Sequence, residues 1–328
     1  MNPRISVITP TWNRASHLSK VWTGLQKQTF RDFEWIVGND GSKDHTDQVV
    51  RELAALSDFP ITLVTATERV GKSRIDNEAV SRSRGQFVVW CDSDDILLPN
   101  ALEMLLFTWE EVPESDRHAF CGVSALCDTE DGVLGKKFYC SDQPFNIVWN
   151  ELYHKLGSDL VIFTRADLVK KHPFLEVDFL IPETSVWNAI GVRQTRFLPK
   201  VLERKSYREV NALSYSGHMS YNRGYAYALT QTKQYAINYL SVFSRLKRAI
   251  NYLRYCRHGE IPFKLALNLW DANRLEALMF VFLFPVSSLL AFKDRAEGKV
   301  KRTHRDFIAS QITATFQSEE LIIGKSPR

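Results

Sequence analysis

Four short apolar runs, each closed by a turn and followed by a helical pattern, organise the first hundred residues of this chain. They are Ile5 to Thr9, Phe33 to Val37, Ile61 to Val64 and Phe87 to Trp90, all rich in β-branched and aromatic residues. Between them Leu18, Val21, Trp22 and Leu25, then Val49, Val50 and Leu53, then Ile75, Ala79 and Val80 recur at helical spacing. Strands that are nearly continuous in apolar residues, rather than alternating, have both faces covered. The pattern therefore predicts an α/β fold with a parallel sheet between helical layers. In such open sheets ligands bind outside the carboxyl ends of the strands. Those ends carry Thr9 to Arg14, Asp40 to Ser42 and Asp92 to Asp95. Any one of these is an ordinary turn sequence; three at successive strand ends mark a candidate site.

Asp92-Ser93-Asp94-Asp95 follows the last of the four strands. Carboxylates held so close repel one another unless a cation neutralises them. A hard divalent ion, Mg²⁺ or Mn²⁺, suits oxygen ligands and adds substrate phosphates to its shell. A calcium loop is excluded, because acidic residues at alternate positions, a Gly at the sixth and a Glu at the twelfth are missing; Asp40 to Asp47 fails the same test. For Asp95 the structural alternative is a helix N-cap.

At this point the residues resemble family 2 glycosyltransferases of the GT-A fold, over roughly residues 4 to 205. Thr9-Pro10-Thr11-Trp12-Asn13-Arg14 is similar to the family's opening strand and turn, and Asn39 to Thr46 to its N-D-G-S-x-D-x-T segment. Gly85 to Asp95 resembles its G-x-hydrophobic-D-x-D-D stretch. The resemblance implies a GT-A-like (Rossmann-like) domain that binds a nucleotide-diphosphate sugar. It implies that Pro10 and Thr11 line the base pocket with Trp12 packed on the base edge, and that Asn13 and Arg14 complete that turn, Arg14 near phosphate or paired on the surface. Asp40 would hydrogen-bond the base or ribose, Asp92 with Ser93 would meet the ribose or sugar, and Asp94 would hold the Mn²⁺ or Mg²⁺. His218 is a candidate further metal ligand, with a plain surface histidine as its alternative. Two departures stand out. The family's G-x-x-x-A-R-N reads Gly71-Lys72-Ser73-Arg74-Ile75-Asp76-Asn77 here, so Lys72 or Arg74 is left to supply the positive charge, beside Asn77. The family's E-D pair reads Glu183-Thr184, so Glu183 is the carboxylate left to take the acceptor's proton; a helix-start glutamate is its structural alternative, and Asp178 is a weaker candidate base. Inverting transfer to a glycan or lipid-linked acceptor in surface-polysaccharide synthesis is the expected function. A scaffold that keeps the nucleotide cleft but lacks a base, and a metal-dependent nucleotidyltransferase, are the rivals.

Beyond the first two hundred residues the chain changes character. No Asp or Glu occurs from Val210 to Gly259, a stretch holding Arg223, Lys233, Arg245, Lys247, Arg248, Arg254 and Arg257. Tyr239, Phe243, Leu246, Ile250 and Leu253 form an apolar stripe beside them. We expect a GT-A domain over residues 1–210 and a helical C-terminal region over 211–328. The basic helix reads as membrane-surface binding, against a solvated face or an oligomer contact. The apolar run from Ala277 to Phe292 falls short of a bilayer span and is expected as a core helix or a membrane-surface segment. Net charge is only +4, so nucleic acid is not an expected partner. Five cysteines without CxxC spacing give neither a zinc site nor a disulfide framework. With no secretory segment at its start, the chain is expected to be cytoplasmic, peripheral at the cytoplasmic face of the membrane.

Overall fold

The computed structural model describes residues 2–177, 180–206, 222–298 and 315–321. The four expected strands are present as β1 (Ile5–Thr11), β2 (Phe33–Asn39), β3 (Ile61–Ala66) and β4 (Phe87–Trp90), all parallel in the order β3-β2-β1-β4. They are linked by α1 (Ala15–Gln26), α2 (Thr46–Ala55) and α3 (Lys72–Arg82). Strand order reverses beside β1, where β2 lies on one side and β4 on the other, and a crevice opens there above the strand ends.

A short strand β5 (Ile96–Leu97) and α4 (Ala101–Glu110) follow the acidic cluster. The sheet then continues through β6 (Phe120–Thr129), β7 (Gly132–Val133), β8 (Phe145–Val148), α5 (Trp149–Leu156), β9 (Leu160–Arg165) and α6 (Ala166–Lys171). β6 and β7 form a hairpin around Asp131-Gly132. After α7 (Thr184–Ile190), β10 (Gln194–Arg204) runs parallel to β6 and ends beside β5.

Alternate residues of β1 feed two cores. Ile5 and Val7 pack with Leu18 and Val21 of α1 and Leu102 and Leu105 of α4, whereas Ile8 packs with Ile75 and Ala79 of α3. Full burial of such side chains contributes roughly 1.5–3 kcal/mol each, which fixes the strand register and hence the positions of the residues just beyond the strand ends.

The C-terminal region forms a separate core from α8 (Asn222–Ala236), α9 (Val242–His258), α10 (Phe263–Leu269) and α11 (Arg274–Ala296), centred on Tyr252, Trp270 and Phe280. Two features differ from expectation. The stripe Tyr239, Phe243 and Leu246 is exposed; the buried face of α9 is Ala249, Tyr252, Leu253 and Cys256. α11 is 23 residues long, long and apolar enough to cross a membrane, so the run from Ala277 understates it. In addition, residues 316–321 inside the expected helical region form a strand, β11 (Phe316–Leu321), that pairs antiparallel with β3 at the sheet edge. Four of the five cysteines are buried and none is bonded to another.

Candidate active site

The turn after β1 is held by its own side chains. Ser42 Oγ accepts from the Asn13 N–H at 2.9 Å, and Asn13 Oδ1 accepts from the Lys43 N–H at 2.8 Å. This reciprocal pair supports the positive φ (51°) of Asn13 and joins the first two motifs. Asp44 accepts from the Ala15 and Thr46 N–H groups, and Asn39 Nδ2 donates to Asp47. Most of the polar residues of the second motif therefore knit the loop together.

Asp40 is different. It is 5% exposed and accepts from the backbone N–H groups of Val70 (2.6 Å) and Gly71 (2.9 Å). Burial outweighs those bonds and pushes its pKa up to about 6. Gly41 permits this approach: a Cβ there would lie 2.3 Å from the Glu68 carbonyl carbon, and its φ is +64°. Arg69 lies 3.8 Å from Asp40 and stacks on the half-open Trp12 ring at 3.6 Å. Pro10 lies in β1 opposite Gly38, and the Thr11 Oγ1 is buried without a hydrogen-bond partner, a polar atom consistent with a ligand-facing pocket wall. A planar cation–aromatic pair beside a buried carboxylate and an unmet hydroxyl suits a nucleobase and its ribose.

Two half-buried lysines organise the acidic cluster. Lys72, at the first turn of α3, has Nζ 2.9 Å from Asp76, 2.9 Å from Glu183 and 3.6 Å from Asp92. Burial alone would lower the ammonium pKa, but Asp76, Glu183 and Asp92 outweigh it and hold it well above its ordinary value. Lys205 lies just past β10, 2.7 Å from Asp95, 3.4 Å from Glu203 and 3.8 Å from Asp92. Asp92 thus stands between two cations. Although burial opposes ionisation, Lys72 and Lys205 hold its pKa below the usual carboxylate value. Asp95 is no helix cap. It accepts from Lys205 Nζ and the Ser206 N–H, while the N-cap position of α4 is Asn100.

Asp94 is half-buried, with Arg14 Nη1 at 3.4 Å. Burial and the neighbouring Asp92 push its pKa up. Ser93 is buried between the two aspartates. Among the described residues no three His, Cys, Asp or Glu side chains converge as a ready metal cage. The donor set fits a different arrangement, in which one carboxylate and the oxygens of a bound diphosphate share a hard cation. His218 lies outside the described residues, as does Asp178.

Arg74 and Asn77 do not meet the cluster. Arg74 turns to the Val70 carbonyl and to Glu176, and Asn77 bonds the Phe174 backbone and Glu176. Both tie α3 to the segment leading to Glu183. Of the three positions considered in that helix, Lys72 alone reaches the acidic residues. Glu183 itself is the N-cap residue of α7 and makes no side-chain cap bond; its carboxylate turns to Lys72 instead. Lys205, Glu203 and Arg69 were not anticipated. Glu203 lies near the end of β10 and Lys205 just beyond it, an acid–base pair that the sequence shows only as two charges two residues apart.

Residues 6–173 match glycosyl transferase family 2. The chain belongs to that family. The family 2 protein is 27% identical over 186 residues to glycosyltransferase GlyG of Streptococcus pneumoniae, covering 55% of this chain and 60% of that one. It is 35% identical over 136 residues to the GalNAc(5)-diNAcBac-PP-undecaprenol beta-1,3-glucosyltransferase of Campylobacter jejuni, 42% of each chain. The chain therefore spans less than two thirds of either relative. Residues 1-349 of S. aureus TarS superpose with a TM-score of 0.54 over 92% of this chain and 83% of that one at 18% identity, a likeness of fold. The fold of this family 2 chain is GT-A.

Proposed function

We propose that the chain transfers a sugar, with inversion, from a nucleotide-diphosphate donor to a hydroxyl of a glycan or lipid-linked acceptor in surface-polysaccharide synthesis. The observation that carries this reading is the Lys72 contact: one ammonium bridges Asp92, at the expected donor site, and Glu183, the expected base about 90 residues further along the chain. The nucleobase would lie by Pro10, Thr11 and Trp12, with Asp40 on the base or ribose, Asp92 and Ser93 by the ribose or sugar, and Asp94 as the metal ligand. Asn13 shapes the turn, and Arg14 holds Asp94. Arg74 and Asn77 support the site through the 174–176 segment rather than by touching the donor.

In the transfer the acceptor oxygen attacks the anomeric carbon from the face opposite the diphosphate. Glu183 takes its proton, the glycosidic bond forms, and the bond to the leaving diphosphate oxygen breaks with its electron pair. When bound, Mn²⁺ or Mg²⁺ neutralises charge on that leaving group. The Glu183 carboxylate is held by the Lys72 ammonium at 2.9 Å. A donor diphosphate competes for the same ammonium and frees the carboxylate once it is bound. The lipid-linked acceptor is favoured by the name of the Campylobacter relative and by the basic α9, which suits a peripheral position at the cytoplasmic face of a membrane.

The test is nucleoside-diphosphate release from a panel of nucleotide sugars with candidate acceptors. Glu183→Gln is expected to lower turnover by about 10²–10⁴ while the donor-induced thermal shift persists. Asp94→Ala is expected to remove the metal-dependent part of that shift. Full turnover in Glu183→Gln would sink the assignment of the base.

A further inference from the structure

α11 is long enough to span a bilayer, at about 34 Å for its 23 residues, and only 17% of its most apolar window is buried. Its two faces are unlike. Leu275, Leu278, Phe282, Leu289 and Phe292 recur three, four or seven residues apart, and all but Leu278 leave 70% or more of their surface open. The opposite face, Phe280, Ser287, Ala291 and Asp294, is buried against the helical core. There Phe280 meets Tyr252 and Trp270, Arg257 bonds Ser288 and covers the Phe284 ring, and Asp294 pairs with Arg254 and His258. α9 and α11 are thus one body.

That union decides the orientation. A transverse α11 would carry Arg257 of α9, which lies against Phe284 and Ser288 near the middle of α11, into hydrocarbon, where a cation is costly. Lying flat, the two helices place the stripe at the acyl boundary and leave the cations at headgroup depth, where anionic lipid attracts them. The exposed Val242 and Phe243 at the start of α9 add apolar surface next to Arg245 and Lys247. A second copy of the chain suits this face less well. A two-fold contact sets like surface against like, and α9 is basic without a single acidic residue. We infer that α11 lies in the plane of an anionic membrane, its Leu275–Phe292 stripe in the acyl boundary and the α9 cations on lipid phosphates. The inference rests on the peripheral position proposed above and adds the surface that makes it.

The experiment is co-sedimentation of the full chain with vesicles of phosphatidylcholine alone or with phosphatidylglycerol, at low and high salt, followed by an alkaline carbonate wash. Wild type is expected to bind the anionic vesicles, to bind less at high salt and to be released by carbonate. Leu278→Glu/Phe282→Glu/Leu289→Glu should bind about tenfold less or weaker with its donor-induced thermal shift unchanged, which shows that the sheet is folded. If that variant binds like wild type while Arg245→Glu/Lys247→Glu does not, the peripheral position stands and the stripe assignment is overturned. Absence of vesicle binding by wild type overturns both. Resistance to carbonate means that α11 spans. A wild-type dimer in sedimentation equilibrium that becomes monomeric in the triple variant, with vesicle binding unchanged, assigns the stripe to a second copy.

Discussion

Asp40 carries the clearest titration in the structure. Its pKa of about 6 lies above the ordinary value of 3.8 because burial disfavours the charged form. Between those two values the folded chain binds a proton that the unfolded chain has released, so stability falls as pH rises from about 4 to 6. The shift of roughly two units corresponds to about 3 kcal/mol, present as stability below pH 4 and lost above pH 6. Asp40→Asn is expected to reduce this slope, to which the raised Asp95 also contributes, and to raise the midpoint of urea unfolding at pH 7, because an amide oxygen still accepts from Val70 and Gly71. It is expected to weaken nucleotide binding at the same time. An unchanged pH profile of stability would show that Asp40 is not the group responsible. Lys72 poses the opposite problem. Lys72→Met strands the fully buried Asp76 and is expected to cost about 3–5 kcal/mol in denaturant unfolding. Adding Asp76→Leu should recover most of that stability without recovering transfer. If the double variant turns over normally, Lys72 has only a structural role. The sequence made Asp40, Asp92 and Asp94 legible because each stands at the end of an apolar strand. It left Lys72 and Arg74 as equals, because both fall in the first turns of α3 and only packing shows which reaches the acidic residues.

Among the elements, the strands β1 to β4 were readable because burial on both faces leaves continuous apolar runs. β11 was not. Its sequence Phe-Gln-Ser-Glu-Glu-Leu is polar, since an edge strand buries little, and its partner lies about 250 residues earlier. Phe316 packs near the Ile8 and Ile75 core, and Arg84 bridges the buried Glu34 to Glu320. The exposed pair with Glu320 contributes little, so the strand is held chiefly by the backbone ladder and by Phe316 and Leu321, which pack against the two sheet cores. Gln317→Pro removes a ladder donor from the strand. It is expected to lower the thermal midpoint by several degrees and to promote self-association through the β3 edge it uncovers, measured by calorimetry and light scattering. A variant that melts and scatters like wild type would mean β11 is dispensable. The apolar stripe of α9 shows the other limit of sequence patterning. Periodicity finds an apolar stripe but does not say whether it faces a core, as Leu253 does, or is left open, as Phe243 is.

For the molecule as a whole, the sheet cores and the Tyr252-Trp270-Phe280 core are separate clusters that meet where α7 packs on α8. We expect them to unfold as two cooperative units. A nucleoside diphosphate with Mn²⁺ at about 100 times its Kd stabilises the unit that holds it by about 2.7 kcal/mol. Calorimetry is expected to show one transition moving with nucleotide and the other staying in place. A single transition that moves as one would show that the two cores are a single unit.

The place of β11 also bears on how the chain is made. β3 leaves the ribosome long before the strand that covers its edge, and at about 5–20 residues per second the interval is roughly 12–50 s. Throughout it, a nearly complete sheet carries an open row of backbone donors and acceptors. Nascent chains on one message are crowded together and offer each other that row. Synthesis speed and chaperone capture during this interval are thus expected to set the yield of active protein, independently of how stable the finished fold is.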